Sequence, residues 1–328
     1  MTNKISDTVQ KIKLGIRKGL TKGWKGLVWL LKIIIPISFA TTLLVHFEII
    51  YKLDFLLTPV MTWISLPASA ALVLIIGLFT GIYGTVAALS VMPFSIEHMT
   101  LIAIYTLISH NIIQESIVQG NSGINTFFAA FFRLFMAFVV TFICAKIMGI
   151  TPETGGLTGA EGFAREPVPF MVMLKTWGWE TFKLIIQIFC IIMPLMVILE
   201  LAKTFNIISF ITKMTSPVLS IMGLNRSTGM LWLTASIFGL AYGAAVIVEE
   251  TQSNAYKKED LIKLHLSIGI NHSMIEDPVL FLPLGLPIFW LWIPRLAAAI
   301  IVTWLYTVFL SARRHYAKRA CHKKLCNH

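Results

Sequence analysis

The sequence predicts an all-α, polytopic integral membrane protein made of two internally repeated helical units, with about eight membrane spans, or ten if two short apolar segments also cross. Three observations carry this. The 328 residues are 56% hydrophobic and 13% charged, with a mean hydropathy of +0.78, a composition unlike that of soluble globular domains. Apolar windows of about 20 residues, enough to cross about 30 Å of hydrocarbon at about 1.5 Å per residue, recur along the chain. The second half also repeats the pattern of the first.

Residues 1–26 form a basic lead-in carrying Lys11, Lys13, Arg17, Lys18, Lys22 and Lys25, expected as an amphipathic helix on the membrane surface; a solvated cytoplasmic lead-in that fixes orientation is weighed ahead of specific binding of anionic membrane lipid. It is too long and polar ahead of its apolar run to resemble a signal peptide. The first repeat, 27–148, holds predicted spans at 27–50, 68–91, 99–119 and 124–148. A connector, 149–176, follows; its "TPETGGLTGAEGFAREPVP" is rich in Gly, Pro and Thr and reads as a flexible linker. The second repeat, 177–311, holds spans at 177–201, 227–248, 264–286 and 287–311, ahead of a basic tail at 312–328.

The net charge of +11 is concentrated in the two ends. That distribution places both termini in the cytoplasm by the positive-inside bias and argues against a nucleic-acid partner. Four cysteines make no secreted disulfide framework, since Cys144 and Cys190 fall in spans and Cys321 and Cys326 in the tail. The tail sequence "CHKKLCNH" gathers Cys321, His322, Cys326 and His328, but its spacing fits no standard zinc pattern. No cofactor is expected, and no phosphate-binding loop occurs.

The repeat has a simple register. Pro36 matches Pro194, Pro59 matches Pro217 and Gly81 matches Gly239, all at an offset of 158 (194 − 36 = 158). Beyond the second copy's charged insertion "EETQSNAYKKED", His110 matches His272, Glu115 matches Asp277 and Arg133 matches Arg295, all at 162 (272 − 110 = 162). Each copy thus contains a proline-bearing, a glycine-rich, a polar and an arginine-bearing span. The short stretches 53–66 and 208–224 decide topology: if they do not cross, the copies are parallel, and if they do, the copies are inverted.

The polar spans carry the chemistry. On a continuous helix, residues four apart share a face, so His110 would sit over Gln114, Asn111 over Glu115, His272 over Glu276 and Ser273 over Asp277. Ionisable groups cost about 2.5–3.5 kcal/mol each in hydrocarbon, so they are expected around a protein interior or aqueous cavity. His110, Asn111, Gln114, Glu115, Asn271, His272, Glu276 and Asp277 are therefore candidates for binding a solute or ion. Arg133 and Arg295 are their candidate charge partners, with Glu115 and Asp277 as the expected carboxylates. Imidazole with carboxylate suits a divalent transition metal, and the arginines shift weight towards an anionic or zwitterionic solute, so metal binding stays open. Gly81 and Gly84, then Gly239 and Gly243, are candidate helix breaks, with Tyr83 and Tyr242 beside them to line the cavity. Close packing through small residues is the other reading of these glycines.

"GLFTGIYGTVAAL" followed by "LISHNIIQES", and "GLAYGAAVIVEE" followed by "GINHSMIEDPVLF", with the "TPV" and "SPV" segments and the two arginines, resemble the nucleoside-recognition (Gate) family of membrane proteins. That family includes the paired Gate segments of ferrous-iron transporter B proteins and part of concentrative nucleoside transporters. The resemblance covers roughly 27–311 and is nearest to stand-alone Gate proteins. Broken or re-entrant helices are expected from the glycines and the two short stretches, and the resemblance carries over no GTP-driven uptake, because the sequence holds no GTP-binding domain.

Two functions follow as expectations. One is a non-enzymatic transporter or channel of the bacterial inner membrane for a small polar solute or ion, bound between the repeats and driven by a gradient or an energising subunit. The other is a structural or assembly membrane protein, whose polar spans form ion pairs, a homo-oligomer contact or an interface with a companion membrane subunit.

Overall fold

The computed structural model describes residues 2–47, 59, 61–150, 169–205, 216–253 and 256–325, and every regular element among them is a helix. Much of the expected connector and of the two short stretches lies outside these residues. The first half contains α1 (Thr2–His46), α2 (Ala70–Thr80), α3 (Ile82–Leu89), α4 (Ile96–Ser109), α5 (Ile112–Asn121) and α6 (Thr126–Ile147). The second contains α7 (Phe170–Thr204), α8 (Ser216–Ile221), α9 (Gly229–Ser253), α10 (Lys258–Ile270), α11 (Glu276–Val279) and α12 (Ile288–Leu325). Local chemistry sets several starts: the Ser95 side chain accepts from the His98 N–H ahead of α4, and Asn125 accepts from the Phe128 N–H ahead of α6.

Helix α1 has 45 residues, about 67 Å at 1.5 Å per residue, and runs unbroken past residue 26, where the basic lead-in was expected to give way to a span. It packs antiparallel on α7. Gly15 lies against Leu201, Gly19 against Val197 and Gly23 against Met193, while Trp177 donates to Ser38 at 3.1 Å. A Cβ at Gly19 would stand 2.6 Å from the Val197 Cα, so this row of small residues sets how closely the two helices approach.

Three stretches among the described residues are long and apolar enough to cross a membrane: Ile96–Asn121, Thr126–Ile147 and Ile288–His315. They coincide with the predicted spans 99–119, 124–148 and 287–311. Three other predicted spans contain sharp backbone changes. In 68–91, Gly81 at φ 81° separates α2 from α3; in 227–248, Gly239 at φ 74° interrupts α9; in 264–286, residues 271–275 separate α10 from α11. Within Ile96–Asn121, left-handed Asn111 at φ 46° divides α4 from α5.

The interruptions cross in pairs. The Asn111 N–H donates to the Gly77 carbonyl at 3.3 Å, and the Ser273 N–H donates to the Ala235 carbonyl at 2.9 Å. Gly77 and Ala235 are 158 apart, whereas Asn111 and Ser273 are 162 apart and share a positive φ, 46° and 45°. An apolar core of α2, α3, α4, α6, α9, α10 and α12 side chains surrounds the crossings. Across it α6 packs on α10 and α12 on α4.

The relative direction of α5 and α10 is fixed by contacts along residues 115–123 and 261–272, which include these helices and their flanking residues. Gly123 lies against Leu261, Gln119 donates to the His265 carbonyl at 3.1 Å, and Glu115 meets His272 at 3.1 Å. One chain rises in number as the other falls, so the two helices are antiparallel.

Candidate functional site

The breaks place ionisable side chains from both halves at one buried point. Helix α4 ends at His110, and a single left-handed residue restarts the chain as α5, which turns Glu115 back towards the His110 ring. Glu115 Oε1 lies 3.4 Å from His110 Nε2, and Glu115 Oε2 lies 3.1 Å from His272 Nε2. Asp277 Oδ2 completes the group at 3.3 Å from His110 Nε2. The two imidazole rings are 5.0 Å apart. His110, Glu115, His272 and Asp277 are all buried.

Both rings are held in the same way. His110 Nδ1 is 3.0 Å from the Thr106 carbonyl, and His272 Nδ1 is 2.8 Å from the Ile268 carbonyl. Both arginines are wholly buried and brace the helix ends. Arg133 donates through Nε to Ile108 O at 2.9 Å and through Nη2 to His110 O at 2.8 Å. Arg295 does the same to Ile270 O at 3.3 Å and His272 O at 2.6 Å. These carbonyls lie in the last turn of a broken helix or just past its end, where intrahelical donors run out, so the guanidinium replaces the missing partners.

The charge partners differ from the expected pair of ion pairs. Arg133 reaches Glu115 at 2.5 Å. Among the described residues Arg295 makes no ion pair with Asp277, which faces His110 instead. The reason is local: α11 begins only at Glu276, after the non-helical 271–275 stretch, so Asp277 is not presented as Glu115 is on α5.

The same breaks overturn the four-residue stacking expected within each polar span. Gln114 is exposed and lies outside the cluster, because α5 starts afresh at Ile112 and turns Glu115 inward instead. Glu276 does not stack on His272 but accepts from the Tyr83 hydroxyl at 3.0 Å, joining the two halves at a second point. Asn111 is half-buried, with its carboxamide against Gly81. Asn271 is buried, and its Nδ2 has no hydrogen-bond partner.

Gly81 and Gly239 are breaks, whereas Gly84 is a packing position inside α3, where a Cβ would collide with the Thr80 hydroxyl. The side chain of Tyr242, the surroundings of Gly243 and the side chains of the Cys/His tail lie outside the described ones. Sequence reasoning missed Gln119, which ties α5 to α10, and the Gly15/Gly19/Gly23 row. Both were legible as spacing: Gln119 lies four residues beyond Glu115, and the glycines recur every fourth residue.

The chain is 28% identical over 287 residues to YvoD, an uncharacterized membrane protein of Bacillus subtilis (strain 168), with 87% of this chain and 91% of that protein covered. No protein-family model matches the sequence, so the Gate resemblance rests on the residues quoted above. No solved structure matches it either. With its apolar helices and this relative, the chain is an all-helical integral membrane protein.

Proposed function

We propose that the protein moves a small polar solute or an ion across the bacterial inner membrane, through a site built where two duplicated and inverted units meet. The observation behind this reading is the Glu115 carboxylate set between His110 and His272, at the crossing of interrupted helices. Transporters of inverted-repeat design bind their cargo at such interruptions, where backbone polar groups and ionisable side chains replace water. Contacts recurring at offsets of 158 and 162 along antiparallel polar spans support the duplication and its inversion. Both termini are placed in the cytoplasm, with a gradient or a companion subunit as the drive, and no chemistry is assigned to the site.

A structural or assembly role is favoured by one feature, the fully buried Arg133–Glu115 ion pair. Flux from proteoliposomes separates the readings. Purified protein should move at least one member of a panel of metal ions, nucleosides and organic acids, with His110→Ala and Glu115→Gln each cutting the rate at least about tenfold. No flux for any member, with the variants' complexes intact, would overturn transport in favour of assembly.

A further inference from the structure

The central cluster sets lone pairs against lone pairs, and this requires a positive occupant. A carbonyl oxygen only accepts, so the Nδ1 atoms facing Thr106 O and Ile268 O carry protons, and in the neutral rings each Nε2 is an acceptor. Those Nε2 atoms face carboxylate oxygens at 3.1 to 3.4 Å, acceptor against acceptor, in a site closed to solvent. Among the described residues, His272 Nε2 and Asp277 Oδ2 have no hydrogen-bond partner. Unpaired buried acceptors of this kind are costly unless a proton or a metal ion lies between them.

The arrangement approaches that of a metal site and needs the wider ligand pairs to draw in around the ion. One ligand atom each from His110, His272 and Asp277 lie within 4.8 Å of one another. A tetrahedral shell with bonds of about 2.0–2.1 Å has ligand–ligand edges of about 3.4 Å, and His110 Nε2 to Asp277 Oδ2 is already 3.3 Å. Nδ1–H held by a backbone carbonyl is the outer support that orients metal-binding histidines. Of the nearby positive charges, Arg133 is paired with Glu115, while Arg295 is held by the carbonyls of Ile270 and His272 and its charge is offset at longer range by the cluster's carboxylates. Glu276, next to Asp277 and held by Tyr83, adds a further carboxylate.

We infer that His110 Nε2, His272 Nε2 and Asp277 Oδ2 bind one divalent transition-metal ion of the zinc or cobalt kind, with a fourth position left open. Two imidazoles and one carboxylate suit such ions better than magnesium or calcium, which take oxygen ligands. The inference rests on the reading that this cluster is a solute site, and it names the class of solute. An open position suits an ion that must leave again.

The test uses the full chain in detergent, with Cys321, His322, Cys326 and His328 replaced by Ser to remove the tail's chelating groups. Co2+ is the probe, read by equilibrium dialysis and by visible absorption. One Co2+ per chain is expected, with a four-coordinate spectrum and displacement by Zn2+. His272→Gln and Asp277→Asn should each weaken binding at least about tenfold while eluting as monodisperse protein, and Gln114→Ala should bind as the parent does. Co2+ binding no tighter in the parent than in His110→Ala/His272→Ala, or left unchanged in Asp277→Asn, overturns the site. Proteoliposomes keep the two ideas apart: flux of an organic solute that depends on His110 but without Co2+ binding sinks the metal site alone, whereas Co2+ binding without flux of any solute sinks transport alone.

Discussion

Arg133 and Arg295 occupy equivalent places but differ in their charge partners, and two double-mutant cycles read that difference. Both guanidiniums donate to two carbonyls at the end of a broken helix. Only Arg133 also meets a carboxylate, Glu115, at 2.5 Å. Arg133→Met removes two charge-assisted hydrogen bonds, each worth about 1.5–3 kcal/mol, and leaves Glu115 buried without its cation. Breaking a buried pair from one side costs about 3–5 kcal/mol, and the losses overlap because the groups act together, so about 4 kcal/mol in total is expected.

Adding Glu115→Gln to Arg133→Met should recover about 2 kcal/mol of this loss, so the coupling energy of the pair is about 2 kcal/mol plus whatever Glu115→Gln costs alone. The corresponding cycle of Arg295→Met with Asp277→Asn should give less than half that coupling, because these two buried side chains make no ion pair among the described residues and act on each other only at longer range. Reversible SDS titration of the detergent-solubilised protein, followed by tryptophan fluorescence, measures both. Equal coupling in the two cycles, or an Arg133→Met cost no greater than that of Arg295→Met, would refute the asymmetric site.

Gly81 at φ 81° and ψ −168° sits where almost only glycine is found, with a Cβ position 2.8 Å from the Asn111 carboxamide; Gly285 at φ 76° is left-handed with open space around it. Gly81→Ala should therefore cost about 3 kcal/mol and Gly285→Ala about 1 kcal/mol, read by thermal unfolding in detergent; equal losses would remove the strained break from the account. Gly23 and Met196 place Cβ positions 3.4 Å apart between α1 and α7, close to disulfide geometry. In a chain without its four native cysteines, Gly23→Cys with Met196→Cys should cross-link on oxidation, seen as a mobility shift reversed by reductant, and failure to do so would contradict the antiparallel pairing.

Much of the site's make-up was legible as residue type, and much of its geometry was not. Two prolines at an offset of 158, and two histidines and two arginines at 162, pointed to equivalent positions, and in the folded chain those histidines and arginines make equivalent backbone contacts. A sequence match carries no direction, however, so the antiparallel course of α5 and α10 had to come from contacts such as Gln119 to His265. The four-residue stacking failed because it assumes unbroken helices. A single left-handed residue at Asn111 rotates everything after it, sending Gln114 outward and Glu115 inward. Nothing in "SHNIIQES" announces that break, because asparagine is tolerated in the left-handed region as well as in the helix.

Near-equivalent parts nonetheless produce an unequal centre. The aligned acids differ by one methylene, Glu115 against Asp277, and they sit on different local backbones, ten-residue α5 against four-residue α11. The longer side chain on the longer helix reaches its arginine and both histidines; the shorter one stops at His110. A strictly two-fold arrangement would neutralise both carboxylates with arginine and leave the histidines facing no free anion. Here one carboxylate is spent on holding the helices, and the other faces an imidazole across a gap. That inequality separates a structural ion pair from an adjoining carboxylate that faces an imidazole, which is where the proposed cation would be held and released.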